Sequence, residues 1–241
     1  HLYHYGNISF PETMPERTRL LHWRSFGPSF LLDSDSCCTY NCYMSNVHVR
    51  LHNGFYWLIL DRPPLNILSI EMIDQLTSAM LDAIKYSPRL MVFTGAGERA
   101  FCAGVDIRDH LDGREKEMLR AVYDNFAAFE QLRSHKIPTV ALVKGHALGG
   151  GCELAALCDT VIAHEDATFG LPEISLGVFP PVAAVYFPAL IGYSATMRLM
   201  LTGETIPAKE ALRLGLAQQV LPSRRFLADA EQLLTMLASN K

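Results

Sequence analysis

Glu153 follows three consecutive glycines, Gly149, Gly150 and Gly151, and Glu173 lies twenty residues further on, directly after Pro172. Three glycines at a strand-to-helix junction permit close backbone approach and leave amide N–H groups unpaired at a helix N-terminus. Such a turn favours negative charge, either a fixed anion or one that develops during a reaction. One carboxylate beside an anion-stabilising turn, with a second returning near it, is raw material for acid–base chemistry on a carbonyl compound. A second glycine-rich loop, residues 95–107, reads Gly-Ala-Gly-Glu-Arg-Ala-Phe-Cys-Ala-Gly-Val-Asp-Ile, with Gly104 just before Val105 and Asp106. Taken singly, each feature has a plainer reading. The glycines serve tight packing, Glu153 is a first-turn acid favoured by the helix dipole, and Glu173 is an exposed loop acid.

The surrounding pattern supplies elements to position these groups. Residues 139–143 form a β-branched apolar run entered through Pro138, a buried strand, and residues 152–157 continue as a short apolar helix. Residues 90–94 form another short apolar strand that runs into the first glycine loop. Asn53-Gly54 between two apolar runs predicts a hairpin, and Pro63-Pro64 ends its second strand. Ile70, Ile73, Leu76, Met80, Leu81 and Ile84 mark one helical stripe, and residues 114–132 carry a longer helical pattern. Alternating strands and helices of these lengths imply βαβ units and a parallel sheet. Further helices are expected over 193–201, 207–214 and 225–237, with a short strand over 217–221.

Four stretches in this order, residues 93–107, 138–159, 169–177 and 201–217, resemble the crotonase family of enoyl-CoA hydratases and isomerases. The resemblance covers roughly residues 47–234. It implies an α/β fold, the crotonase-like spiral of β-β-α turns with a helical C-terminal region. It also implies an enoyl-CoA hydratase that adds water reversibly to an α,β-unsaturated acyl-CoA. The N–H groups of Val105 and Gly150 are expected to form an oxyanion hole for the thioester oxygen. Glu153 is expected to orient and activate water for attack at Cβ, and Glu173 to exchange a proton at Cα. Ala103, Gly104, Asp106, Ile107 and Gly149 are the expected substrate-binding positions. For Asp106, a cap on the following short helix is an equal alternative to a contact with the CoA. Retention of both glutamates favours hydration. Double-bond isomerisation, which needs one base, and non-catalytic acyl-CoA binding are the alternatives.

One departure from the family concerns the residues after Gly177. Many hydratases carry Pro-Gly-Ala-Gly-Gly there, whereas this chain reads Val178-Phe179-Pro180-Pro181-Val182-Ala183-Ala184. The change replaces a flexible turn with stiffer residues against the expected acyl site. The form is similar to that of the cyclic dienoyl-CoA hydratases, which makes a ring-bearing acyl group a second expectation.

The 241 residues, 49% hydrophobic and 19% charged, suit one domain with a sizeable core. A formal net charge of −4 and the lack of a basic run give no support for nucleic-acid binding, and no apolar run is long enough to cross a bilayer. No cofactor and no metal are expected, CoA being part of the substrate. The resemblance implies a homotrimer or a dimer of trimers. The cysteines in buried-looking motifs suggest a reducing compartment, and Glu12, Glu16, Asp33 and Asp35 argue against a mitochondrial transit peptide, so the cytoplasm is expected rather than the mitochondrial matrix. Cys38 and Cys42 with His48 and His52 have only a superficial zinc-site look, since the two pairs are too close in sequence. Cys102, Cys152 and Cys158 read as packed thiols and His146 as structural. No Ser-His-Asp set stands at triad-like motifs. Residues 1–43 carry no sustained period and are expected to be a disordered or non-native extension. Residues 44–241 then form the acyl-CoA domain, with the family's last helices incomplete.

Overall fold

Pairs of short strands followed by a helix recur along this chain, and that repeat builds a spiral. The computed structural model describes residues 40–111 and 113–239. Strands β1 (Tyr40–Tyr43), β2 (Val47–His52) and β3 (Phe55–Leu60) form an antiparallel meander, and Asn53-Gly54 turns the second hairpin as expected. The paired body therefore begins at Tyr40, four residues ahead of the expected boundary. The rest of the extension over residues 1–39 lies outside the described residues.

From β3 onward the pairing within the large sheet is parallel. Strands β4 (Leu90–Gly95), β6 (Thr139–Val143), β8 (Thr160–His164) and β11 (Gln219–Leu221) complete a seven-stranded sheet of order β1-β2-β3-β4-β6-β8-β11. A smaller sheet collects β5 (Ala100–Cys102), β7 (His146–Leu148), β9 (Thr168–Gly170) and β10 (Thr205–Pro207) in the order β10-β9-β7-β5. Successive β-β-α turns thus place one strand in each sheet before a helix follows. Every side chain of β3 and of β6 is buried. That explains their unbroken apolar runs, because a parallel sheet is covered on both faces.

The helices close the spiral. They are α1 (Ile70–Tyr86), α2 (Arg108–Leu111), α3 (Glu115–Ser134), α4 (Gly150–Leu157), α5 (Pro181–Ile191), α6 (Tyr193–Thr202), α7 (Ala208–Leu214) and α8 (Phe226–Ser239). Ser69 caps α1, its Oγ accepting from Met72 N at 3.3 Å, and Ile70, Ile73, Leu76 and Met80 form the buried stripe. Phe93 of β4 stacks on Phe129 of α3 with ring centroids 5.3 Å apart. The helix α5 was not expected. Pro180 and Pro181 lie at its start, where a missing N–H costs nothing, so the stiffened segment is a helix entry rather than a turn.

The loop joining β3 to α1 is pinned from within. Asn66 is 1% exposed. Its amide Nδ2 donates to the carbonyls of Ala96 at 3.1 Å and Ala100 at 2.9 Å, and its Oδ1 accepts from Arg62 N at 3.0 Å. These bonds tie the loop to the strand that delivers residues 103–107. Replacing Asn66 with Leu leaves buried carbonyls without a donor, and urea denaturation should show a loss of about 2–3 kcal/mol.

Candidate active site

The site grows from the first turn of α4. Gly151 must be glycine, because a Cβ there would lie 2.1 Å from the carbonyl oxygen of Cys102. This contact draws the N-terminus of α4 onto the end of β5. It brings residue 150 beside residue 105. A Cβ on Gly150 would lie 3.7 Å from Val105 N, and one on Gly104 would lie 4.0 Å from Gly150 N. Gly104, at φ 112°, takes a backbone conformation that L side chains rarely adopt. Its carbonyl accepts from Leu68 N, and Asp106 N donates to Leu68 O, both at 2.8 Å. The two bonds flank Val105. Among the described residues, the N–H groups of Val105 and Gly150 have no hydrogen-bond partner. Two N–H groups without a partner among the described residues therefore lie close together at a helix N-terminus.

Helical spacing sets what else faces that space. Gly150, Glu153, Leu154 and Leu157 recur at i, i+3, i+4 and i+7 along α4 and line one side of a narrow cavity of about 40 Å³. Val105, Val182 and side chains of α1 and α3 line the rest, so the cavity is mainly apolar. Glu153 is 7% exposed, and its Oε1 accepts from the backbone N–H of Ala183 at 2.8 Å. Burial pushes its carboxyl up from the ordinary 4.5 to about 7; the Ala183 N–H opposes that rise, and the negative charge of Glu173 adds to it.

Glu173 reaches the glycine turn at Gly149 and does not line the cavity with Glu153. It stands at the start of a 3₁₀ turn, Pro172–Leu176. Its Oε1 is 2.7 Å from where a Cβ on Gly149 would be, so only glycine leaves room for the carboxylate. Gly149, at φ 53°, donates its N–H to Gly170 O at 2.9 Å. Oε2 of Glu173 is buried without a hydrogen-bond partner among the described residues, and burial raises the carboxyl's pKa. The two carboxylates thus flank consecutive residues of one turn.

The remaining expected positions divide. Val105 lines the cavity with Glu153 and Gly150, whereas Asp106 lines a separate open polar cleft of about 480 Å³ with Arg62 and Arg108. The Asp106 carboxylate accepts from Arg108 Nη2 at 2.8 Å, Arg62 Nη2 at 2.9 Å and the backbone N–H of Arg108 at 3.2 Å. The Arg108 guanidinium, helped by Arg62, holds it far below the usual carboxylate range. The bond from the Arg108 N–H lies at the entry to α2, where the expected cap would act. Ala103 donates its N–H to Leu65 O at 3.0 Å, and Ile107 is 46% exposed, unusual for an isoleucine in an otherwise packed motif. Cys102, Cys152 and Cys158 are buried; burial pushes the Cys102 thiol to about 12 and also raises the other two, as packed thiols require. His146 is exposed and pairs with Thr168 Oγ1 at 2.8 Å. His48 pairs with Asp61 at 2.7 Å, and among the described residues no cluster of His, Cys, Asp and Glu could hold a metal ion. No described helix is long and apolar enough to cross a membrane.

Two contributors escaped the sequence reading. The N-terminus of α5 holds Glu153 through Ala183, and the Pro180-Pro181 pair was the available sign of a helix start. Asn125 lines the cavity from α3, and the one amide inside that helix's apolar stripe could have marked it.

Residues 51–241 match the family described as enoyl-CoA hydratase/isomerase, and the chain belongs to that family. It is 38% identical over 185 residues to a probable enoyl-CoA hydratase, echA8, of Mycobacterium tuberculosis, covering 75% of this chain and 70% of that protein. It is 35% identical over 202 residues to 2,3-dehydroadipyl-CoA hydratase of Escherichia coli, covering 81% and 76% respectively. An enoyl-CoA hydratase structure from Bacillus anthracis superposes with a TM-score of 0.73 at 32% identity, covering 80% of this chain and 77% of that one.

The raised pKa of Glu153 has a consequence for stability. A carboxyl whose folded pKa lies above its unfolded value stabilises the fold below the unfolded pKa and loses that contribution as pH rises through the folded pKa. For Glu153 the window runs from 4.5 to about 7, and the contribution lost across it is about 3 kcal/mol. Chemical denaturation from pH 4.5 to 8 should show Glu153→Gln gaining on the unaltered chain by about that amount as pH rises.

Proposed function

We propose that this chain hydrates α,β-unsaturated acyl-CoA thioesters reversibly. The observation that carries the reading is the convergence of two unpaired N–H groups, of Val105 and Gly150, with Glu153 and Glu173 around a single turn. The thioester oxygen accepts from both N–H groups. As water adds, negative charge moves onto that oxygen, so the fixed donors bind the transition state more strongly than the substrate. Losing one such donor typically costs about 2.7–4 kcal/mol.

Proton bookkeeping assigns the carboxyls. Glu153, ionised, takes a proton from water as the water oxygen bonds to Cβ. The C=C electron pair shifts into the enolate. Glu173, protonated, then gives a proton to Cα as the enolate collapses, leaving a 3-hydroxyacyl-CoA. Proton exchange with solvent resets the pair. Both carboxyls are raised by burial, which brings donation and acceptance into reach near neutral pH. The Ala183 N–H fixes Glu153 so that one carboxylate oxygen remains for the water. CoA is part of the substrate, and the reaction draws on no cofactor.

The test follows loss of the enoyl-thioester absorbance with linear and cyclic enoyl-CoAs. Either Glu153→Gln or Glu173→Gln should lower kcat by about 10²–10⁴-fold while CoA binding persists. A shifted double bond without water addition would overturn hydration in favour of isomerisation. Exposed Ile174, Leu176, Val178, Phe179, Val185 and Tyr193 supply an apolar surface suited to the trimer contacts the resemblance implies. Light scattering at micromolar concentration should give a trimer or hexamer mass, and a monomer would refute this.

A further inference from the structure

We propose that Asn125 is a specificity-determining residue whose amide oxygen selects acyl groups that carry a hydroxyl or another hydrogen-bond donor. The inference rests on the acyl-CoA reading above and extends it to the substrate's acyl chemistry. Asn125 interrupts the buried stripe of α3, between Ala121 and Ala128, and is 7% exposed. It lines the same narrow cavity as Glu153, where its other neighbours include Ile73, Leu76, Val122 and Leu157. An amide in such a setting carries a desolvation cost unless each of its polar atoms is paired.

The hydrogen-bond network fixes which way the amide faces. Thr77 Oγ1 spends its single hydrogen on the carbonyl of Ile73, at 2.9 Å, and can only accept from Asn125. Asn125 Nδ2 lies 3.1 Å from that oxygen and 3.7 Å from the sulfur of Met80, which is also an acceptor. Both amide hydrogens are therefore committed to α1, and the reversed amide would set oxygen against two acceptors. Oδ1, the pure acceptor, has no partner among the described residues and is the atom left to the cavity that Asn125 lines. An all-carbon acyl group would cover this oxygen without pairing it, whereas a hydroxyl would donate to it. Sites built to pair a substrate hydroxyl discriminate against the analogue lacking it far better than apolar pockets discriminate by size.

The test compares isosteres that differ only in donor content. Binding of 4-hydroxybutanoyl-CoA against pentanoyl-CoA, and of 5-hydroxypentanoyl-CoA against hexanoyl-CoA, is measured by calorimetry. The unaltered chain should favour the hydroxylated member of at least one pair by about tenfold. Asn125→Leu, which keeps the branched outline of the side chain, should abolish or invert that preference. Asn125→Ala removes the same oxygen and serves if the leucine variant fails to fold. No preference in the unaltered chain would overturn the proposal, as would a preference that survives in a folded variant. Because saturated acyl-CoAs are bound and not turned over, the result is independent of hydration. A preference without turnover of any enoyl-CoA keeps the subsite and sinks the hydratase reading, and turnover without a preference does the reverse.

Discussion

The contact between Gly151 and the Cys102 carbonyl sets the distance on which the candidate site depends. With no side chain at 151, α4 begins almost on top of β5, and the two glycine turns become one structure. Everything with chemical potential in the molecule is placed by that approach. Val105 and Gly150 come to face each other, Glu153 is carried one helical turn further into an apolar cavity, and the outer face of the turn receives Glu173. A single methyl at 151 would drive the start of α4 away from the Cys102 carbonyl and separate the two turns.

Around that contact the molecule divides its polar groups into two kinds. Some are fully paired and serve the scaffold. Asn66 ties a loop to the strand before the site, and Asp106 is held by two arginines at the start of α2. Others have no partner among the described residues: the two N–H groups, the buried Oε2 of Glu173, and the amide oxygen that Asn125 leaves to the cavity it lines. Unpaired polar groups in an interior are costly. Val105, Gly150 and Asn125 line one cavity, and Glu173 stands against Gly149, the neighbouring residue of the same turn.

The helix α5 shows how local chemistry and tertiary placement combine. Pro180 and Pro181 make a good helix start, and the first turn of any helix has spare N–H groups. One of these, from Ala183, meets the Glu153 carboxylate. A segment read from the sequence only as a stiffened turn thereby holds one carboxylate oxygen and places Val182 against the cavity. The same N–H tempers the rise that burial imposes on the glutamate's pKa.

Much of this was open to reading from the chain alone, because its signals are local. The limits of α1 and β6, the Asn-Gly hairpin, and the helix after the triple glycine follow from periodicity and turn chemistry within a few residues. The two glutamates and the glycine loops were legible as a set because their types and order resemble a known family. Other facts needed three dimensions. That Gly151 must touch Cys102, that Asp106 turns toward Arg108 and away from the carboxylates, and that Asn125 shares a cavity with Glu153 depend on residues dozens of positions apart. The small sheet of β5, β7, β9 and β10 escaped for a similar reason, since three-residue strands have no period of their own and exist only through their neighbours. Sequence determines which groups a segment can offer. Which of those groups meet, and which stay unpaired, is decided by close packing between segments that are distant in the chain.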